Sequence, residues 1–550
     1  MRLFHLLLCL LLTACATAPT ATPELPVEPT LAPATISPTD PPAVEPTAQL
    51  PIATPQLPPE GAYDIGSPTL TDVWVDPATG DDSRDGSTRE QALRTLNEAW
   101  GRILQGVELA TGYRILLATS AHPEDTLPNY LESRYGTAGA PVIITAADGP
   151  GTATLGGDLN IFDIRYLYLI DLNIIPNPPG DVIHCEKCDH FLIRNAVLDG
   201  GGEAHETLKA NQSQYLFIEN SDISGTYENA IDYVSVQYGH ILNNRIHNAD
   251  DWCAYVKGGS AYIRVEGNEI YDCGTGGFTA GQGTGFQYMV APWLAYEAYD
   301  VKVINNVIHD TEGAGLGVNG GYNILFAYNT LYRVGQRSHA LEFVFGLRSC
   351  DGQPGDEGRE RCDQHLAAGG WGTTVVDDGT NAVLIPNKNI FVYNNILYNP
   401  PGYRSEYQNF AIFGPNSAPT QNGSNVPLPT LADENLQIRG NIIWDGGSDQ
   451  SLGIEGSDQG CQPSNPACNA DQLRADNAIN TVEPQLVNPD DGDFRPAPGG
   501  DVFGVTTFAI PDFAWDVNVP AGNLSNSATT DRGGNSRLQP GPPGAYVGGN

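Results

Sequence analysis

Asn243-Asn244-Arg245-Ile246, Gly267-Asn268-Glu269-Ile270, Asn305-Asn306-Val307-Ile308 and Tyr328-Asn329-Thr330-Leu331 are copies of one short pattern that ends in an aliphatic anchor. Earlier copies are Asn195-Ala196-Val197-Leu198 and Asn220-Ser221-Asp222-Ile223. Later ones are Asn394-Asn395-Ile396-Leu397 and Gly440-Asn441-Ile442-Ile443. Anchors follow one another at 25, 23, 24, 38, 23, 66 and 46 residues, a unit of about 23–24 residues with insertions. A period in this range marks a solenoid, in which each unit buries its apolar face only against its neighbours. Before each anchor runs a short alternating segment such as Tyr262-Ile263-Arg264-Val265-Glu266, and no helical period recurs with the spacing. Asparagine at a fixed corner tolerates a left-handed backbone and can hydrogen-bond the turn above it, so stacked corners form an asparagine ladder. The expected fold is all-β, a right-handed parallel β-helix.

Around this repeat, 65 acidic and 27 basic residues give a net charge of -38, which argues against nucleic acid as a partner. Met1-Arg2 and the apolar run Leu3 to Leu12 are too short to span a bilayer. The run ends in Leu12-Thr13-Ala14-Cys15, which resembles a bacterial lipoprotein signal and implies lipidation of Cys15; the plain alternative is an ordinary cleaved signal. Residues 16–60 are rich in Thr and Pro and read as an extended tether, with one β-helix domain over 61–550. The chain is then held to the envelope by its lipid alone, faces the extracellular side and works as a monomer. Eight further cysteines suggest disulfides between sequence neighbours, 185–188, 253–273, 350–362 and 461–468; a zinc site using Cys185 and Cys188 is the rival reading.

The segment Trp74 to Ser87, with Asp81-Asp82-Ser83 and Asp85-Gly86, resembles the start of many secreted pectate-lyase-like β-helix proteins. The resemblance implies a capping helix next, and Arg94 to Trp100 with Ile103 and Leu104 has the apolar spacing for one. Cap, coils and exit are expected near 70–110, 140–480 and 481–550. Glu483 to Pro496 resembles the usual exit from such a helix.

Aligned by their anchors, the coils bring His184, Lys209, Asp232 or Tyr233, Lys257 and Asn319 to one level. The chain has only five lysines, and two fall here, two coils apart. A one-residue slip flips a side chain inward, so the choice between Asp232 and Tyr233 stays open. Nearby segments add His205, Glu206, Asp250, Asp251, Trp252, Gln282, His339 and Glu342. A polar column of this kind is where the superfamily's enzymes bind polysaccharide; a solvated ladder of charges is the plain alternative.

Glu206-Thr207-Leu208-Lys209 resembles the Lys-ending strand of the chondroitinase B and alginate lyase family, although Asp232-Tyr233 stands where that family has an arginine. The resemblance implies β-elimination from an anionic, uronate polysaccharide. Lys209 and Lys257 would be base and charge stabiliser, Tyr233 the proton donor, and Asp232 an orienting group. Ca²⁺ would be held by Glu206, Asp250 and Asp251. His205, Trp252, Gln282, Trp293, Asn319, His339 and Glu342 would contact the sugar. Asp250-Asp251 is also similar to part of the polygalacturonase motif, an opening for a glycoside hydrolase. A non-catalytic glycan binder is the third reading, and an epimerase would use the same proton abstraction. The insertion before Ile308 carries Phe286, Tyr288, Trp293, Tyr296 and Tyr299 and could wall a saccharide groove or pack on its own coil. A second insertion, Arg348 to His365, is a second prospective lid.

Overall fold

A computed structural model describes residues 61–548 apart from 178, 375–381, 414–423, 448–449, 454–459 and 462–464. Cys15 and the tether lie outside the described residues. Among the latter, no helix is long and apolar enough to cross a membrane.

Short parallel strands stack coil upon coil into three faces. The first face includes Leu208–Asn211, Ile231–Val234, Trp252–Lys257, Gly276–Gly281, Ala314–Asn319 and Leu341–Val344. Gln214–Glu219, Gln237–Leu242, Ser260–Glu266 and Ala298–Ile304 belong to the second. Asp222–Thr226, Arg245–Ala249, Glu269–Cys273 and Val307–Thr311 belong to the third. The anchors pair one above another on this third face, Ile223 with Ile246, Ile270, Ile308, Leu331, Leu397 and Ile443 in turn. Insertions of any length therefore leave the register intact, because the anchor side chains fill the lumen and are almost fully buried.

The ladder is present, and its two tasks fall to two residues. The first residue of each pattern, Asn243, Gly267, Asn305 or Tyr328, takes the left-handed backbone. The asparagine after it bridges coils. Asn329 Oδ1 accepts from Asn306 N and Nδ2, both at 3.0 Å, while its own Nδ2 donates to Val303 O at 2.9 Å and Asn395 Oδ1 at 3.0 Å. The series runs from Asn244 to Asn477. Replacing Asn329 by Ala removes a partner from groups that water cannot reach, so urea unfolding is expected to show a loss of about 2–3 kcal/mol; a change below about 0.5 kcal/mol would mean that the ladder adds little to stability.

The capping helix Leu96–Gly101 starts at Thr95, whose side chain accepts from Glu98 N, and it buries Leu96, Ala99 and Trp100 over the first coil. Ile103 is buried as well, but Leu104 is 61% exposed because the helix has already ended at Gly101. Coiling begins earlier than expected: Leu70–Val75 pairs with Gly112–Leu117, and that strand with Val142–Ala146. The exit segment turns back instead of only closing the end. Phe508 N donates to Asn394 Oδ1, Asn323 Nδ2 to Ala514 O and Arg532 Nε to Gly267 O, so residues 508–532 run along the outside of the second face. All four expected disulfides are formed.

Candidate active site

Strand register decides which first-face side chains point outward. Lys209 pairs with His184 on one side and Asp232 on the other, and Asp232 pairs with Tyr255. Continuing, Tyr255 pairs with Thr279, Thr279 with Gly317 and Gly317 with Glu342. Asp232 therefore faces outward, and Tyr233, beside Ala210 and Val256, faces the lumen. It lies in the core, 1% exposed with its hydroxyl unpartnered, and burial raises its pKa far above the usual phenol. Tyr233 is thus no proton donor to a substrate on this face. Lys257 is also off the expected position. It is level with Val234, two residues along the strand from the Lys209 column; the extra residue of this coil lies in the corner between Lys257 and Ala261 and hides that offset when residues are counted back from the anchor. The two lysines share the outward face but not a column.

Lys209 Nζ lies 3.6 Å from Asp232 Oδ2 and 3.9 Å from Glu206 Oε1. Burial works against its charge, but Asp232 and Glu206, with Asp181 and Glu228 farther out, outweigh that and hold its pKa above the usual lysine value. A raised pKa favours the charged form of Lys209, which suits a charge stabiliser better than the base expected of it. The carboxyl of Glu206, 1% exposed, is pushed up to about 9 by burial and by the charge of Asp232, against the pull of Lys209 and Asn229. Asn229 donates to it from N at 2.9 Å and Nδ2 at 3.3 Å. Tyr255, 3% exposed, is held protonated by burial and by Asp232 and Glu206, with Lys257 Nζ 4.3 Å from its ring centroid.

The group able to accept a proton at neutral pH is His184, which sequence reasoning aligned but gave no role. Burial, helped by the charge of Lys209 and opposed by Asp181, lowers its pKa. Its Nε2 faces the Asn211 amide nitrogen at 3.1 Å, and its Nδ1 lies 3.6 Å from Asp181 Oδ2. The hydrogen-bond pattern assigns the proton to Nδ1 and the lone pair to Nε2. Its side chain is 32% exposed, so a substrate displacing Asn211 would meet that lone pair. The signal was available in the sequence as a histidine level with Lys209, but neither its neutrality nor its partner Asp181 was.

The remaining expected residues divide. His205 links Asp181 Oδ1 at 3.2 Å with Glu228 Oε2 at 3.4 Å. Gln282 Oε1 accepts from Lys257 Nζ at 2.9 Å, and Asn319 Oδ1 from Thr279 Oγ1 at 2.8 Å. Farther along, His339 Nε2 hydrogen-bonds Gln408 Oε1 at 2.8 Å, and Ser338 Oγ donates to Glu342 Oε1 at 2.7 Å. Trp252 and Trp293 do not offer free faces. The Trp252 indole lies so close over Gly276 that a Cβ there would fall 2.3 Å from it, and it packs on Tyr255 and Ala314. Trp293 joins the aromatic cluster of the second face with Tyr238 and Tyr262. Of the first insertion, Phe286, Tyr296 and Tyr299 are buried too, while Tyr288 is 52% exposed and its carbonyl accepts from Gln212 at 3.0 Å, walling one edge of the face.

Asp250 and Asp251 sit at the corner between Arg245–Ala249 and Trp252–Lys257 and are not grouped with the Glu206 carboxyl as possible ligands of one ion. Among the described residues the possible ligands grouped with Glu206 are His205 and Glu228. Calcium takes six to eight oxygens. An imidazole, a carboxyl already hydrogen-bonded by Asn229 and a carboxylate paired with His205 fall short of that oxygen set, so the three do not fit a calcium site.

No curated protein matches the chain. A family model for the right handed beta helix region matches residues 181–344, the segment that holds Asp181, His184, Lys209 and Lys257. Among solved structures the chain is similar to XylC in its complex with xylose, at 10% identity over 86% of this chain and 98% of that one, TM-score 0.49. It is also similar to pectate lyase Pel9A (13%, 84% and 96%, TM-score 0.42). A third is the A-module of mannuronan C-5 epimerase AlgE6 from Azotobacter vinelandii (12%, 64% and 89%, TM-score 0.37). From its coils, its ladder and the matched segment, the chain is a right-handed parallel β-helix protein.

Proposed function

We propose that the chain is an extracellular, lipid-anchored lyase that cleaves an anionic polysaccharide bound along the first face, by β-elimination from a uronate. The observation that carries this reading is the pairing of a neutral, part-exposed imidazole with a fixed ammonium as neighbours on adjacent rungs, His184 beside Lys209. Elimination needs the uronate carboxylate neutralised so that its α-proton becomes acidic, and a base aimed at that proton. Lys209 supplies the charge, with Lys257 farther along the face. His184 Nε2 takes the proton, and Asp181 stabilises the imidazolium that forms. The leaving oxygen takes a proton from the ammonium of Lys209 or from solvent.

The assay uses the purified chain with pectate, alginate, chondroitin, heparan and a neutral xylan, with Ca²⁺ and with chelator. Absorbance of unsaturated uronate and release of reducing ends are followed together. Both signals are expected on an anionic polymer. Neither signal on any polymer counts against catalysis and moves the reading to a glycan binder.

The pH profile tests the base separately. The lowered pKa of His184 keeps its neutral form present below 6.5, the ordinary imidazole value, and the raised pKa of Lys209 keeps its cation present above 10.5. Turnover is therefore expected to rise with pH on an acid limb below 6.5 and to hold across neutrality. A profile that rises only toward 10.5 would restore Lys209 as the base.

One observation favours a second reading, glycoside hydrolysis. Glu206 and Asp232 flank one ammonium, and the carboxyl of Glu206 is raised in pKa by burial, as a general acid in a carboxyl pair needs. Reducing ends without absorbance would select it.

A further inference from the structure

The outward face is charged at one end only. From Gly276 onward the first-face strands Gly276–Gly281, Ala314–Asn319, Leu341–Val344 and Phe410–Ile412 contain no lysine or arginine. Their outward positions are Thr279, Gly317, Glu342 and Ala411 in the Lys209 column and Gly281, Asn319 and Val344 two residues along. The Glu342 carboxyl is half-buried, raised in pKa by burial, and hydrogen-bonded to Ser338. Arg337, in the corner beside His339, is ion-paired to Glu312. Here too the surface changes character: Tyr407 is 46% and Phe413 43% exposed, next to His339 and at the end of the last of these strands.

Lys209 and Glu342 are five rungs apart on one column, about 24 Å at roughly 4.8 Å per rung. A polymer lying along the face therefore meets ammonium groups at one end, then a stretch with none, then a carboxyl and two exposed rings. A carboxylate on the polymer gains an ion pair at the first end. At the second it would lose part of its hydration, find no lysine or arginine on these strands, and be repelled whenever Glu342 ionises. Uncharged sugar residues fare better there. Their apolar faces can lie on Tyr407 and Phe413, and their hydroxyls can pair with Gln408, Asn319 and Glu342.

From this asymmetry we infer that the substrate is a heteropolysaccharide, with a uronate at Lys209 and uncharged sugar residues toward Glu342, rather than a polymer of uronates alone. The inference rests on the lyase reading for its first subsite but makes its own prediction about binding.

The test separates the two. The purified chain is run in native gels cast with polygalacturonate or with unsulfated chondroitin, in which uronate alternates with an uncharged N-acetylated sugar. Unsaturated-uronate absorbance is measured on the same polymers. Retardation at a tenfold or lower concentration of the alternating polymer is expected, whether or not absorbance develops. Glu342→Lys should narrow that gap by strengthening retardation in polygalacturonate, and Glu342→Gln, which keeps shape and hydrogen bonding, should narrow it less. Equal or stronger retardation in polygalacturonate overturns the inference, and so does a Glu342→Lys chain with an unchanged gap and an unchanged urea midpoint. Absence of absorbance on both polymers counts against the lyase and leaves the binding comparison to decide the substrate class.

Discussion

The His184→Ala chain is expected to lose 10²- to 10⁴-fold in kcat on its uronate polymer, the range a positioned general base supplies, with KM changed less than threefold. The substitution is informative because His184 holds little of the fold together. It is part-exposed on the outer face and makes one hydrogen bond to Asn211 and one longer contact to Asp181. Urea midpoints of the variant and the parent should therefore agree. Lys209→Met cannot serve in its place. Removing that ammonium leaves Asp232 and Glu206 without their nearby cation, so stability and activity would fall together and the cause of lost turnover could not be read. Asp181→Asn adds a second test of the same base. Loss of the carboxylate removes a charge that raises the His184 pKa, so the acid limb should shift to lower pH while the plateau rate falls by about tenfold. If His184→Ala keeps more than a tenth of the parent kcat, the base lies elsewhere and elimination through His184 is ruled out.

The lumen was legible in the sequence because burial there is repetitive. An aliphatic residue at each anchor and an asparagine two before it are demanded by the coil itself, so Ile246, Ile270 and Ile308 name the register even across an insertion of 14 residues. The outward column was legible only to within a residue or two. Nothing in the lumen pattern fixes how many residues a corner takes, and the extra one between Lys257 and Ala261 made Lys257 look level with Lys209 when counted back from the anchors. Exposure was hidden for a related reason: Trp252 and Trp293 look like sugar platforms in a sequence, but glycines at 276 and 317 let the first lie flat on the coil, and the second-face tyrosines enclose the other. Protonation was the least legible. In the proposed mechanism Lys209 and His184 trade the roles expected of lysine and of a bystander, because the four acids around the lysine come from separate coils and from a corner, at sequence distances no motif records.

Arg348→Met is expected to cost about 3–5 kcal/mol, the usual effect of stripping one partner from a buried ion pair. Both side chains of the Arg348–Glu297 pair are fully buried. The guanidinium donates to Glu297 Oε1 and, through Nη1, to the carbonyls of Leu294 at 2.9 Å, Ala295 at 3.0 Å and Trp371 at 2.7 Å. The other oxygen of Glu297 accepts from Gly258 N at 3.0 Å and Thr284 Oγ1 at 2.6 Å. One ion pair thus ties the first insertion, the second insertion and the corner after Lys257 to each other. Methionine leaves a buried carboxylate with two neutral donors and strips the guanidinium from the carbonyls of Ala295 and Trp371, while Leu294 O keeps its bond from Trp371 N at 3.1 Å. Because the groups released belong to insertions and not to the coils, the loss is expected first as local opening. Amide exchange over 284–297 and 346–371 should speed up at least 100-fold while the ladder coils keep their protection. Function gives a matching readout. Gln282 at the base of this wall holds Lys257 at 2.9 Å, so loosening the wall should raise KM several-fold and leave kcat, which depends on His184 and Lys209, within a factor of three. Uniform loss of protection along the chain would instead make the pair a support of the whole solenoid. A drop in kcat equal to that of His184→Ala would place the wall in the chemistry, against its position two residues along the strand from the Lys209 column.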